Sequence, residues 1–268
     1  MITLSSDFGS PYPAAMKGVL LRQTDARLVD VSHDFPRQDV RATAFWLREV
    51  IPYFPPAVHL VVVDPGVGTD RKALVVRAGD HAFVGPDNGV LLPAARAVSD
   101  DVETYEVAYR QRDPTAERDP TGVPWPPEPD SSTFHGRDVF APAAAHVHER
   151  GVDAFEADEG FTATDDVVDL TLPEPELDET GATGEALAVD GFGNVITNIP
   201  GSVLTERFGD HVKVNGVLAS ARQAYDAVDT GHRVVTVGSH GNVELAVNQG
   251  RGDETFGVHA GGRVRLTW

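Results

Sequence analysis

The sequence predicts an α/β protein in which an N-terminal α/β/α domain with a mostly parallel sheet precedes a C-terminal antiparallel, β-barrel-like domain. Apolar strand-like runs alternate with helical repeats over the first part of the chain, which is typical of a parallel sheet covered by helices. An acidic segment with two prolines follows. Beyond it, short β-rich runs are separated by Gly or Asp turns, as in an all-β barrel or sandwich. The predicted boundaries are 1–170 for the first domain, 171–184 for a linker and 185–268 for the second domain.

The N-terminal elements follow from local patterns of apolar residues. Strands are predicted, in order, at residues 2–5, 26–31, 58–63, 73–76 and 82–84. Helices are predicted at 13–23, at 39–51, behind the turn at 85–89 and at about 138–150. Asp39 is the expected cap of the second helix, and Pro52 is expected to stop it. The segment 110–132, rich in proline and charge, is predicted to be a long surface loop.

The C-terminal elements are short and β-rich. Strands are predicted at residues 186–189, 194–199, 212–214, 234–237, 242–247 and 264–268. Because Gly or Asp turns lie between most of them, we expect an all-β domain, a barrel or a sandwich.

The composition indicates a globular chain and excludes several classes of function. Hydrophobic residues make up 41% of the 268 residues, enough for a sizeable core. The absence of cysteine excludes disulfides, zinc–thiolate sites and thiol nucleophiles. No apolar run approaches the roughly 20 residues that span a bilayer, and no charged-then-apolar leader precedes the first strand, so we expect a cytoplasmic protein.

The net charge of −19 limits the classes of binding partner and indicates the salt environment of the source organism. Lysine occurs only at Lys17, Lys72 and Lys213, whereas acidic residues recur in small groups. Nucleic acid and anionic membranes both require clustered cations, so neither is an expected partner. An acid excess with scarce lysine suits a protein that is soluble in high salt, where screening removes self-repulsion, and predicts a halophilic source.

Asp64, Arg71 and His135 are the residues most suggestive of chemistry. The apolar run 58–63 predicts a buried strand that ends at Asp64, and open α/β sheets hold their ligands at this carboxyl edge. A turn rich in Pro and Gly separates Asp64 from Arg71, and His135 lies in a loop before a helix. An acid, a cation and an imidazole at one sheet edge would handle a proton. The alternative is a turn carboxylate, a surface cation and a structural histidine.

Other polar motifs have two interpretations each. Asp7 ends the first strand, where a carboxylate either binds ribose hydroxyls or has a local role, capping the following helix or closing an Asx turn. Asn194, in the Asp-Gly-Phe-Gly-Asn run that opens the β domain, either reads an adenine edge or forms a hairpin turn. The segments 239–242 and 247–250 have the same turn alternative. The spacing of the histidines predicts no metal site.

Seven short runs, taken together, resemble one protein family. They lie at residues 6–9, 16–18, 31–33, 62–68, 85–89, 134–138 and 192–199. In that order and spacing the chain resembles the S-adenosyl-L-methionine (SAM) hydroxide adenosyltransferases, adenosine-forming hydrolases related to fluorinase and chlorinase. The resemblance covers nearly the whole chain. It implies an N-terminal α/β domain, a C-terminal antiparallel β domain, and a homotrimer that holds its ligand between neighbouring subunits.

The resemblance also implies a role for particular residues. Asp64, Arg71 and His135 match the family's water-activating set. The implied substrate-binding positions are Asp7 for ribose, Phe134, Phe192, Asn194, Asn248 and Gln249 for adenine, and Asp190 and Ser239 for the methionine amine and carboxylate. SAM is then the substrate, and no cofactor is expected.

The predicted reaction is attack of an activated water or hydroxide on C5′ of SAM. Methionine leaves as a neutral thioether, so the reaction needs an oriented nucleophile and no general acid. Halogenase-like substitution by chloride is an alternative, but His135 and Gly136 stand where halogenases carry a Tyr-Ser or similar pair. A SAM or adenosine sensor is a second alternative, although binding alone would not need Asp64, Arg71 and His135 together.

Overall fold

The computed structural model describes residues 1–110 and 123–268, and the chain divides into two compact units, Met1–Leu170 and Thr171–Trp268. The loop predicted at 110–132 falls partly on the segment 111–122, which lies outside the described residues. Among the helices within the described ranges, none is long and apolar enough to cross a membrane.

A seven-stranded sheet forms the centre of the N-terminal unit. Its strands are β1 (Ile2–Ser6), β2 (Leu28–Ser32), β3 (Val58–Val62), β4 (Ala73–Ala78), β5 (His81–Pro86), β6 (Val102–Val107) and β7 (Phe161–Ala163). Their order across the sheet is β2-β1-β3-β5-β4-β6-β7. The first four in this order are parallel neighbours, whereas β5, β4, β6 and β7 pair antiparallel. The predicted α/β class is confirmed. The two-residue connection Gly79-Asp80 permits only a hairpin, so β4 and β5 pair antiparallel.

Helices cover both faces of this sheet. They are α1 (Tyr12–Leu20), α2 (Val40–Val50), α3 (Leu92–Val98) and α4 (Ala141–Arg150), the last preceded by a π-helical turn at Gly136–Phe140. The α1 and α4 side chains pack in one core cluster, and those of α2 and α3 pack in another. The side chain of Asp39 accepts a hydrogen bond from the Ala42 N–H at 2.9 Å, so the predicted cap of α2 is confirmed.

The carboxyl edge of the parallel strands gathers the candidate residues of the N-terminal unit. All five residues of β3 are buried, as the apolar run predicts. Ser6 of β1 pairs with Val62 of β3, so Asp7 and Asp64 both follow at the same edge. The π-helical turn packs against β3 and β5, which brings His135 to this edge as well.

The C-terminal unit is a closed barrel. Its strands are β8 (Glu176–Asp178), β9 (Gly181–Val189), β10 (Val195–Pro200), β11 (His211–Val214), β12 (Val217–Ala221), β13 (Arg233–Val237), β14 (Asn242–Val247) and β15 (Arg263–Thr267), with a short helix α5 (Gly252–Phe256). The order is β10-β14-β13-β12-β11-β15-β9-β8, and pairing of β10 with β9 closes the ring of seven strands. All these pairs are antiparallel except β12 with β13.

Part of the segment 171–184, predicted as a linker, belongs to the barrel. Glu176–Asp178 pairs with β9, and the first residues of β9 pair with β15. All three residues of β8 are exposed. Acidic residues and nearby prolines are common on such edge strands, because they discourage pairing with other chains. The same composition made the segment resemble a linker.

Candidate active site

Asp64 and Arg71 form a nearly buried ion pair beyond the end of β3. The guanidinium donates from Nε to Asp64 Oδ1 at 2.9 Å and from Nη2 to Asp64 Oδ2, a bidentate geometry. The Arg71 and Asp64 side chains are 9% and 4% exposed. The turn between them is closed by the Thr69 hydroxyl, which donates to the Gly66 carbonyl at 2.6 Å. Because a buried charge is costly unless it is paired and hydrogen-bonded, each of the two ions depends on the other.

His135 completes a contiguous set with this ion pair. Arg71 Nη2 donates to His135 Nδ1 at 2.9 Å, and the imidazole is 2% exposed. Burial, and next the charge of Arg71, lower the pKa of His135 below its ordinary value, against the opposing effect of Asp64 and Asp138. The ring is therefore neutral near pH 7.

The hydrogen-bond network also assigns the tautomer of His135. An Nδ1 that accepts from Arg71 carries no proton, so the proton of the neutral ring lies on Nε2. This Nε2 atom is buried and has no hydrogen-bond partner among the described residues. The site thus contains one N–H donor available to a small polar ligand such as water.

Two aromatic rings flank the set. The Arg71 guanidinium lies over the Phe140 ring, 4.9 Å from its centroid, and the Tyr109 ring contacts His135 edge to face at 5.3 Å. The sequence analysis identified neither residue. Rings in these positions exclude water, which strengthens the electrostatic interactions between the groups they cover.

Gly136 allows the close approach of His135 to the sheet. A Cβ atom at this position would lie 3.1 Å from Met16 Sδ and from Val62 Cγ1. Those distances are tighter than ordinary van der Waals contact, so a larger residue would push the π-helical turn, and His135 with it, away from β3.

Phe134 belongs to an aromatic cluster. Its ring meets the Phe8 ring at 5.9 Å and the Tyr12 ring at 5.6 Å, both edge to face. Tyr12 is 57% exposed, an unusual exposure for a large aromatic side chain next to a site. The sequence analysis identified Phe134, but not Phe8 or Tyr12, as a binding candidate.

Asp7 holds the loop that follows β2. Its Oδ2 accepts a hydrogen bond from the Gln38 N–H at 2.7 Å, and Gln38 has a positive φ of 60°. No side chain caps α1, whose N-cap position is Pro11. The capping alternative for Asp7 is therefore wrong. A carboxylate that accepts one backbone N–H keeps further lone pairs for a hydroxyl ligand.

In the C-terminal unit, Asp190 organises the loop between β9 and β10. Its Oδ1 accepts from the N–H groups of Phe192 (2.9 Å) and Asn194 (2.8 Å), and its Oδ2 accepts from Asn194 Nδ2 at 3.0 Å. Asn194 is 8% exposed. The hairpin-turn interpretation thus describes Asp190 and Asn194 in the free protein, and their hydrogen bonds give the loop one defined shape.

Phe192 projects from the tip of this hydrogen-bonded loop. Its side chain is 81% exposed. Large apolar side chains at defined surface positions are typical of binding sites, and an aromatic ring offers a stacking surface to a base.

The remaining candidates flank β14. Ser239 is exposed in the loop before the strand, and Asn248 and Gln249 follow it. Asn248 Nδ2 donates to the Val228 carbonyl at 2.7 Å, so its side chain holds a neighbouring loop. Gln249 is exposed with a positive φ of 55°. Because the Asn248 side chain is already engaged, a ligand contact at that position would use its backbone groups.

Comparison with family models matches both units. Residues 2–156 match the SAM hydroxide adenosyltransferase N-terminal domain, and residues 184–265 match the SAM hydroxide adenosyltransferase C-terminal domain.

Individual relatives cover almost the whole chain. A protein named (R)-S-adenosyl-L-methionine hydrolase from Salinispora tropica is 40% identical over 99% of this chain and 97% of its own length. One of the same name from Thermus thermophilus is 40% identical over 97% of each chain. A fluorinase from Actinopolyspora mzabensis is 25% identical over 100% of this chain and 97% of its own. Among solved structures, an uncharacterized conserved protein from Thermotoga maritima aligns over 100% of both chains with a TM-score of 0.81 and 32% identity.

Proposed function

The chain belongs to the SAM hydroxide adenosyltransferase family, and from this premise we propose that it hydrolyses SAM to adenosine and L-methionine. Water attacks C5′, the C5′–S bond breaks with its electron pair going to sulfur, and one proton is released. The reaction requires protein side chains that orient and deprotonate a water molecule, and it needs no cofactor.

The observation that carries the proposal is the contact of one guanidinium, Arg71, with both Asp64 and His135. In the proposed mechanism, His135 donates from Nε2 to the water oxygen and fixes its direction. Because that imidazole nitrogen already carries a proton, Asp64 is the group that takes the proton from water. Arg71 holds both partners, and its charge stabilises the negative charge that develops on the water oxygen.

The substrate-binding roles are proposed on the same basis. Asp7 binds the ribose, and the adenine lies against Phe134 and Phe192 near Asn194. Backbone groups of Asn248 and Gln249 meet the adenine edge. Asp190 and Ser239 bind the methionine amine and carboxylate.

Three broader properties are part of the proposal. The protein is a homotrimer that holds SAM between neighbouring subunits, which light scattering on the purified protein would test. It is cytoplasmic and comes from a halophile. The charge of −19 and the scarcity of lysine support a high-salt environment.

The reaction is tested by product identity. The purified protein is incubated with SAM in high-chloride buffer made with H₂¹⁸O, and the products are separated and weighed by mass spectrometry. We expect adenosine with ¹⁸O in its 5′ hydroxyl and unlabelled methionine. 5′-Chloro-5′-deoxyadenosine would instead establish halide substitution, and unchanged SAM with a folded protein would favour a sensor.

Replacing His135 with alanine is expected to lower turnover by roughly 100-fold or more, the scale of a positioned acid–base group. In the wild-type protein Nδ1 must be unprotonated to accept from Arg71, and protonation would set two cations against each other, so turnover should fall on the acid side. The midpoint of that fall should lie below pH 6.5, because burial and Arg71 lower the pKa of His135. Initial rates from pH 5 to 8 measure both effects.

The matched control for this variant is the exposed His259, which lies outside the candidate site. His259→Ala should keep the wild-type rate and the wild-type acid limb. Near-wild-type turnover of His135→Ala would contradict the water-orienting role.

Replacing Phe192 with alanine is expected to weaken SAM binding without changing folding stability. The side chain is 81% exposed, so its removal leaves the packing intact. Loss of a stacked ring costs about 1–3 kcal/mol per base, which corresponds to a KM raised about 10-fold or more. Tyr53, 87% exposed, provides the control variant Tyr53→Ala, for which neither KM nor the melting temperature should change. An unchanged KM for Phe192→Ala would remove Phe192 from the adenine site.

A further inference from the structure

We propose that Tyr225, Glu244 and His240 form a positioning set that fixes the loop carrying Ser239 and so sets the affinity for the methionine part of the substrate. The inference rests on the proposed function. All three residues lie in the C-terminal unit.

Glu244 is a buried carboxylate outside the barrel core. Val243 and Leu245 belong to the core cluster, so Glu244, between them on β14, faces the opposite side of the sheet. Its residue is nevertheless only 4% exposed. A buried carboxylate requires hydrogen-bond donors around it. The carboxylate in turn fixes the positions of the groups that donate to it.

Tyr225 supplies one of these donors. Its hydroxyl donates to Glu244 Oε1 at 2.5 Å. Burial, the bond to Glu244 and the charges of Glu244 and Asp190 raise the pKa of Tyr225 above its ordinary value. The hydroxyl therefore keeps its proton and remains a donor throughout the working range of pH.

His240 connects the carboxylate to the Ser239 loop. Its Nδ1 accepts from the Asn242 N–H at 3.2 Å, so in the neutral ring the proton lies on Nε2. That nitrogen faces Glu244 Oε2 at 3.5 Å. The imidazole is thus held at the start of β14 by the Asn242 N–H and lies within ion-pair distance of the buried carboxylate.

Gly238 shows how tightly the loop closes over this set. A Cβ atom there would collide with His240 Nε2 and lie 2.7 Å from Glu244 Oε2. The loop is also closed by the Gly241 N–H, which donates to the Gly238 carbonyl at 2.9 Å. Ser239 lies exposed between Gly238 and His240, so its position depends on the space that Gly238 leaves beside Glu244 and on the contact of His240 with Glu244.

The proposed adenine-binding residues lie elsewhere on the barrel. Val195, which follows Asn194, pairs with Leu245, and Asn248 follows the end of β14, whereas Ser239 precedes its start. A change that loosens the Ser239 loop should therefore weaken the binding of SAM and spare the binding of adenosine, which lacks the methionine part.

Two variants of the full-length protein test this selectivity. Tyr225→Phe removes only the hydroxyl donor, and Glu244→Ala removes the carboxylate. Titration calorimetry gives Kd for SAM and for adenosine, and initial rates give KM and kcat. For both variants we expect Kd and KM for SAM to rise about 10-fold, the scale of a lost hydrogen bond to a charged group, with kcat and adenosine Kd unchanged.

Two further variants provide the rescue and the control. Glu244→Gln keeps an oxygen that accepts from Tyr225 but turns its NH2 group toward the Nε2–H of His240, so it should recover only part of the SAM affinity lost in Glu244→Ala. The control is Thr236→Val. Thr236 is 3% exposed and lies opposite Glu244 on β13, so this variant also removes a buried hydroxyl, and the Kd values for SAM and for adenosine should both stay unchanged.

Equal losses of SAM and adenosine affinity would overturn the proposal, as would unchanged SAM affinity in a folded Glu244→Ala protein. If the wild-type protein binds SAM without hydrolysing it, the proposed function fails, yet the comparison of Kd values still decides the role of the positioning set.

Discussion

Replacing Arg71 with alanine is expected to lower turnover of SAM by roughly 100-fold or more, because the substitution removes at once the partner of both other members of the proposed catalytic set. Asp64 loses a bidentate partner, and His135 loses the donor that assigns its tautomer. The variant should also be less stable, since it leaves the nearly buried Asp64 carboxylate unpaired; breaking a buried ion pair in this way costs about 3–5 kcal/mol.

Arg71→Lys separates the loss of chemistry from the loss of stability. Lysine retains the positive charge, but its single ammonium cannot reproduce the fixed fork that meets both carboxylate oxygens and His135 Nδ1. We expect a folded protein with turnover still reduced, measured as kcat at saturating SAM beside a thermal melt. Arg96→Ala is the control, because Arg96 and Asp169 form a surface ion pair with side chains 45% and 56% exposed. Wild-type kcat in Arg71→Lys would show that charge alone, and not the bidentate geometry, is needed.

The proposed catalytic set could be predicted from the sequence because each member lies beside a local signal. An apolar run ends at Asp64, a Pro- and Gly-rich turn leads to Arg71, and a glycine follows His135 before a helix. These signals specify backbone direction at a sheet edge, and packing of the π-helical turn against β3 and β5 then brings His135 to Asp64 and Arg71.

The residues that sequence analysis missed reach their positions through tertiary contacts. Tyr109 follows β6, a strand outside the predicted set, and meets His135 only because β6 joins the sheet beside β4. Glu244 occupies an outward position of a strand that was predicted correctly. Alternation along that strand predicts a solvated carboxylate there, whereas Tyr225 and the loop that carries Gly238 and His240 cover it.

Like Glu244, His59 is a polar residue buried by tertiary contacts, and its burial affects the stability of the protein. The apolar run of β3 predicts a buried strand, and the histidine within it is fully buried. Its Nδ1 meets Thr3 Oγ1 at 2.7 Å across the β1–β3 pair, and its Nε2 meets His81 Nδ1 at 2.9 Å. Burial, with a smaller effect of the His81 charge, lowers the pKa of His59 to about 3. Between about pH 6.5 and pH 3, His59 is therefore neutral in the folded protein but protonated in the unfolded chain.

The free energy of unfolding is accordingly expected to fall as the pH is lowered from about 6.5 toward 3. Above this window His59 is neutral in both states and contributes nothing to the pH dependence. Within it the unfolded state binds one more proton, which costs the folded state about 1.4 kcal/mol per pH unit. Carboxylates titrate in the same range, so the contribution of His59 is measured as a difference between variants.

His59→Gln should be less stable than the wild-type protein at pH 7.5, because it disturbs two hydrogen bonds and the contact with the Phe83 ring. Between pH 6 and 4, however, its free energy of unfolding should fall more slowly, by about 1.4 kcal/mol less per pH unit. The two curves from urea unfolding must then converge in acid. His211→Gln, at an exposed position on β11, should run parallel to the wild-type protein throughout. If the unfolding free energy of His59→Gln also ran parallel to that of the wild-type protein, His59 would have to take up its proton in the folded state. Thr3 and His81 would then rearrange around the charged ring.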